Sequence, residues 1–231
     1  MMFKNVFTCG DINGIGPEIS LKAFNKIYEK EHSKIGFICP ANIFQTTSEV
    51  IKPRFKWEFV RSADDMNTDP NVLSVIDIGN HPQNYGSPTN ESGKAAYEAI
   101  TKALELVKDH NAESIITSPI SKEAFKKAGI KFPGHTELLA EYAKIDDFAM
   151  MFVSDIMKAA LVTIHDPINK VSSLITSRNI ITKIRVIINS LQKDFGIKNP
   201  RIAVLGLNPH AGEEGNIGRE EIDTIIPALK E

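Results

Sequence analysis

Cysteine is scarce in this chain: Cys9 and Cys39 are the only two in 231 residues. Two cysteines cannot build a disulfide framework, and no CxxC pair offers a zinc or redox motif. Both are expected to be reduced thiols of the core. An excess of one charge sign is also lacking. The 27 Lys+Arg stand against 29 Asp+Glu, a formal net charge of −2, which argues against a nucleic-acid binder with its basic stripe. No apolar run reaches the roughly 18 residues that cross a bilayer. The opening Met1-Met2-Phe3-Lys4-Asn5-Val6-Phe7 is too short for a signal-peptide core, so a cytoplasmic location is the expectation. Internal repeats and low-complexity tracts are missing, as are GxSxG, HExxH and EF-hand motifs. What remains is an ordinary globular composition, 42% hydrophobic and 24% charged, long enough for one large or two small domains.

Short β-rich runs alternate with helical patterns. Val6-Phe7-Thr8-Cys9 predicts a strand, and Pro17 with Glu18 opens a helix running to about residue 31. Strands are predicted at 35–39, 73–77 and 114–117. A polar, Gly/Pro-rich loop is predicted at 82–90. The clearest helix is 91–109, where Ala96, Ala99, Ile100, Ala103, Leu104 and Val107 recur at helical spacing. Further on, strands are predicted at 150–153, 160–164 and 201–205, and helices at 178–195 and 218–231. This alternation implies an α/β fold with a largely parallel sheet. Ligands of such folds sit beyond the carboxyl ends of strands, so the loops there carry the functional information.

Three histidines lie in Gly/Pro-pinned loops at element ends: His135, His165 and His210. Neutral imidazole is the commonest metal ligand. Each alone reads better as a surface or capping residue, while for the three together a shared site is as good a reading. Their spacings match no local zinc motif. His32, His81 and His110 sit in polar or helix-end contexts and read as solvated.

Gly10, Gly14 and Gly16 are spaced G-x3-G-x-G, which fits neither the dinucleotide fingerprint nor the P-loop. A tight strand-to-helix turn and an exposed set of backbone N–H groups both remain open. Gly212, Gly215 and Gly218 crowd one later loop with Glu213 and Glu214. Either a ligand lies against that backbone or several positive-φ positions are required. Thr117-Ser118-Pro119-Ile120-Ser121-Lys122 could hold an anion or cap a helix.

Five motifs occur in order: Gly10-Asp11-x-x-Gly14-Ile15-Gly16-Pro17-Glu18, Thr117-Ser118-Pro119-Ile120-Ser121-Lys122, Phe132-Pro133-Gly134-His135-Thr136-Glu137, Thr163-Ile164-His165-x-Pro167, and Leu207-Asn208-Pro209-His210-Ala211-Gly212-Glu213. The set resembles the 4-hydroxythreonine-4-phosphate dehydrogenase family of vitamin B6 biosynthesis. The resemblance implies an α/β, two-lobed α/β/α isocitrate/isopropylmalate dehydrogenase-like fold, truncated here. It implies a first lobe at 1–118 and a second at 119–231.

By the same resemblance, His165 and His210 are two of three ligands of a divalent metal (Zn, Mg or Co), and His135 and Thr136 bind substrate. NAD is the implied cofactor and 4-phosphooxy-L-threonine the substrate. The implied assembly is a homodimer with its active site at the interface. Ile12-Asn13 departs from the family's common Pro-Ala, and a backbone role is expected there. The family continues beyond residue 231, where its third metal ligand, further substrate-binding residues and much of its NAD site lie. The last helix has no stop signal, in keeping with a truncated chain. A paralogous dehydrogenase of another phosphorylated hydroxy acid and a non-catalytic fragment are the alternatives.

Overall fold

β1 (Phe3–Thr8) is flanked by β2 (Ile35–Ile38) and β5 (Ala112–Thr117) in the computed structural model, which describes residues 2–30, 32–62, 65 and 69–231. β3 (Lys56–Val60) and β4 (Val72–Ile76) complete a sheet of order β3-β4-β2-β1-β5 in which every pair is parallel. Parallel strands need helical crossovers. α1 (Gly16–Tyr28), α2 (Ala41–Ile51) and α3 (Asn90–Lys108) supply them. Pro17 sits in the first turn of α1, and Leu21 and Phe24 turn its apolar face inward. Thr89 and Ser92 close a reciprocal capping box on α3.

The core lies on this sheet. Phe3, Val6, Phe37, Ile38, Leu73 and Val75 are fully buried from the strands, with Leu21, Phe24, Ile43 and Phe44 from the helices. Phe24 meets Phe7, Phe37 and Phe55 edge-on. Cys9 and Cys39 are free thiols within this core, and burial pushes the Cys39 thiol up.

Two compact units form, Met1–Tyr142 and Ala143–Glu231. The sequence expectation places the boundary at 118/119. The first unit reaches further because α4 (Lys122–Lys127) and α5 (His135–Ala143) continue from β5, and Phe125 and Leu138 pack with Ala96 and Ile100 of α3. At Gly93 a Cβ would lie 2.2 Å from the Ala124 carbonyl oxygen, so α3 and α4 touch backbone to backbone.

The second unit holds an antiparallel pair, β6 (Met151–Val153) and β7 (Lys158–Ala160), then α6 (Ile168–Leu174) and α7 (Ser177–Lys193). One π-helical turn (Glu221–Ile225) runs into α8 (Ile226–Lys230). Ile180, Ile225 and Ala228 form its small core. Two expected strands differ. At 160–164 only Ala160 is in a strand, and 201–205 forms none. The run Ile202-Ala203-Val204-Leu205 finds no ladder among the described residues, and a strand without a partner leaves its backbone groups unpaired.

Candidate active site

β1 has β2 on one side and β5 on the other, so chain order reverses there, the usual ligand position of an open α/β sheet. In this chain the reversal point is filled by its own loops. A Cβ at Gly10 (φ +67) would lie 2.4 Å from the Pro119 carbonyl oxygen, and the Asp11 N–H donates to that oxygen at 2.9 Å. The Ser20 and Ser118 hydroxyls are 2.9 Å apart. The first glycine loop is therefore a tight strand-to-helix turn sealed against the loop after β5.

The backbone carbonyls of Ile12 and Asn13 accept from Gln83 Nε2 at 2.9 Å and the Gly86 N–H at 2.8 Å, the expected backbone role, and Asn13 adds a side-chain role to it. Its buried side chain donates to the Ser87 carbonyl at 2.8 Å and to Thr89 Oγ1 at 3.3 Å, and accepts from the Asn84 N–H at 2.7 Å. The carboxamide ties the polar loop to the glycine turn. His81 departs from the solvated reading too: its side chain is mostly covered and lies 3.9 Å from a Glu98 carboxylate oxygen.

His135 and Thr136 begin α5 in the first unit. The Nε2 of His135 is buried with no hydrogen-bond partner, an unusual state for a polar atom. Burial lowers the imidazole pKa, so the ring is neutral at pH 7 and presents one donor and one acceptor. Thr136 is exposed beside it.

His165 and His210 belong to the second unit. Both are exposed, and both hold left-handed backbone, with φ 57 and 50. Residues with a Cβ seldom adopt this region, at a cost of roughly 1–2 kcal/mol each. His165 lies between β7 and α6. His210 opens a left-handed turn in which all of residues 210–215 have positive φ. Of the two open readings for this glycine-rich loop, the positive-φ requirement is met at Gly212 (φ 81) and Gly215 (φ 97). Neither imidazole has a hydrogen-bond or ionic partner among the described residues, so each is free to coordinate.

The turn rests on Asn208, part of the fifth motif, and on Glu220 and Glu221, which no motif marks. The Asn208 backbone N–H donates to Glu221 Oε1 at 2.7 Å and its Nδ2 donates to Glu221 Oε2 at 2.9 Å. The same Nδ2 reaches Glu220 Oε2 at 2.8 Å. These bonds hold both glutamates below the usual carboxylate pKa. For the two glutamates, the glycine density between residues 208 and 221 is the signal in the sequence.

Neutral imidazoles suit a divalent transition metal in kind. Among the described residues, however, no group of three His, Cys, Asp or Glu side chains comes together. His165 and His210 therefore have no set of three such side chains around them among the described residues.

Parallel sheet, flanking helices and loop histidines define an α/β protein of enzyme-like build. The pyridoxal phosphate biosynthetic protein PdxA model matches residues 31–231, and the chain belongs to that family. A 4-hydroxythreonine-4-phosphate dehydrogenase of Trichlorobacter lovleyi is 38% identical over 226 residues, 96% of this chain and 67% of that protein. A relative from Oceanobacillus iheyensis, provisionally named a D-threonate 4-phosphate dehydrogenase, is 34% identical over 97% of this chain and 68% of its own length. The crystal structure of the Klebsiella pneumoniae 4-hydroxythreonine-4-phosphate dehydrogenase superposes with a TM-score of 0.85 at 30% identity, over 99% of this chain and 71% of that one. The chain thus spans about two thirds of the length of these relatives.

Proposed function

We propose that this chain serves the oxidation of 4-phosphooxy-L-threonine in pyridoxal phosphate formation, with NAD as hydride acceptor. The substrate's secondary alcohol gives a hydride to NAD and its hydroxyl proton to solvent. The resulting β-keto acid loses CO2 and takes up a proton, leaving 3-amino-2-oxopropyl phosphate. His135 and Thr136 are the proposed substrate contacts: a neutral imidazole and a hydroxyl that hydrogen-bond and orient the substrate. His165 and His210 are the proposed ligands of a divalent ion (Zn, Mg or Co), whose contribution when bound is polarisation of a substrate oxygen. A cytoplasmic homodimer with the site at its interface completes the proposal. No helix among the described residues is long and apolar enough to cross a membrane.

The observation that carries this reading is the pair of exposed, unpartnered imidazoles, both on left-handed backbone. Such strain persists where function uses it. The experiment is an NADH absorbance assay with substrate, NAD and metal. A protein of full family length is expected to turn over and to lose activity on His210→Ala. Residues 1–231 alone, with two ligands, are expected to be inactive. Steady NADH formation that survives His210→Ala would refute the site assignment. A D-threonate 4-phosphate activity is the second reading, favoured by the Oceanobacillus relative. Assaying both substrates side by side separates the two.

A further inference from the structure

Glu221 is the only charged side chain that is buried among the described residues, at 4% exposure. No lysine or arginine pairs with it. A carboxylate in that position is costly to bury unless its oxygens are bonded. Both of them are, and both to Asn208, two residues before His210.

The surrounding glycines fit around this bracket. A Cβ at Gly212 would lie 2.9 Å from Glu221 Oε2, and one at Gly218 would lie 2.4 Å from Asn208 Nδ2. Glycine at each place lets the carboxylate and the amide meet. Main-chain bonds run through the turn, with Ala211 N–H to Asn208 at 3.2 Å at its start and Asn216 N–H to Glu213 at 3.1 Å and Ile217 N–H to Gly212 at 3.1 Å at its end. Against them stands the conformational cost of His210, Ala211, Glu213 and Glu214, all with a Cβ at positive φ. Glu221 ties the start of the turn to the helix whose Ile225 and Ala228 pack on Ile180.

We propose that Glu221, acting through Asn208, is the positioning residue for His210. It holds the left-handed turn in the one arrangement that presents the imidazole. The inference rests on the reading of His210 as a metal ligand, and its test separates the two.

The test uses the full chain in a Glu220→Gln background, so that a carboxylate introduced at position 208 meets no like charge from residue 220. Glu221→Gln turns one acceptor into a donor facing the Asn208 amide. Adding Asn208→Asp restores the bracket with the roles exchanged. The new carboxamide at position 221 then donates to the new carboxylate at position 208 and still accepts from the backbone N–H there. Amide hydrogen exchange over 209–217 reports the turn. Titration with Co(II), followed by its visible absorption, reports the imidazole.

Glu221→Gln is expected to speed exchange in the turn and to weaken Co(II) binding by about tenfold or more, the usual effect of removing a group that orients a ligand. The double variant is expected to recover both, and the exchange of β1–β5 is expected to stay unchanged. Faster exchange with unaltered Co(II) affinity and spectrum would overturn the positioning role, as would a Glu221→Gln chain identical to its parent. If Glu221→Gln fails to fold, a folded double variant that still lacks parental Co(II) affinity overturns the proposal equally. Asn208→Ala, which removes only the side-chain half of the bracket, is expected to fall between the two. Co(II) binding that ignores His210→Ala would instead refute the ligand reading, leaving exchange to judge whether Glu221 holds the turn.

Discussion

The first unit layers α1, α2 and α3 on five parallel strands and surrounds Phe24 with Phe7, Phe37 and Phe55. The second has two short antiparallel strands and a core gathered at Ile180, Ile225 and Ala228. It leaves Ile156 97%, Ile168 92% and Leu205 87% exposed. The difference is one of means. In the first unit apolar burial sets the backbone, and the special glycines answer to close packing. In the second, a buried carboxylate and a carboxamide hold a backbone that few apolar contacts support. The proposed metal ligands sit in the unit with less burial, where a turn can be costly in itself and still be fixed by two hydrogen bonds.

Five substitutions test this contrast. Phe24→Ala removes a fully buried ring from the larger core and is expected to destabilise the first unit by about 3–5 kcal/mol in urea unfolding. Ile180→Ala in the smaller core is expected to cost about 2–5 kcal/mol, toward the lower end because its partly exposed neighbours can relax. If Ile180→Ala cost more than Phe24→Ala, the claim that apolar burial dominates the first unit would be wrong.

Asn13→Ala removes three hydrogen bonds of a buried side chain whose partners are exposed or half-buried, and should cost about 1 kcal/mol. Urea unfolding of that variant shows whether polar clamps matter in the first unit as well.

The smallest effects are expected from His135 and Ile156. Burial holds the native His135 pKa below its unfolded value near 6.5. The unfolded chain therefore binds more protons between those two values, so stability is full above about pH 6.5 and falls as pH drops through the native value. His135→Gln should flatten that part of the profile of urea midpoint against pH, and an unchanged profile would place the titration elsewhere. Ile156→Lys on the open face of the second unit should alter stability by less than about 0.5 kcal/mol, while light scattering should show weaker self-association.

Legibility followed the same division. β1, β2, β4 and β5 read clearly because buried parallel strands are short apolar runs bounded by Gly and Pro. α3 and α7 read clearly from their apolar periodicity. The sequence reading contains no strand at Lys56–Val60 and no helix at Ala41–Ile51, where polar residues interrupt the apolar pattern. Residues 201–205 carry a strand's composition without a strand's partner, and only tertiary pairing could decide between them. At the site, the histidines stood out by residue type and loop setting. Asn208 stood within the fifth motif, but its pairing with Glu221 was not legible, because a polar bracket spanning 13 positions has no periodicity; the glycines between them marked the place.

The position of β1 has a consequence for synthesis. It leaves the ribosome long before one of its two sheet neighbours, β5, which begins only at Ala112. At about 5–20 residues per second, one edge of the emerging β1 waits on the order of 5–20 s for that partner. During that interval the nascent chain can pair β1 with β2 alone, and the strand edge that will meet Ser114, Ile115 and Ile116 is open to any other chain. A trigger-factor-type chaperone that shields the nascent chain between the emergence of β1 and that of β5 would therefore raise the yield of this protein more than one that acts only after release.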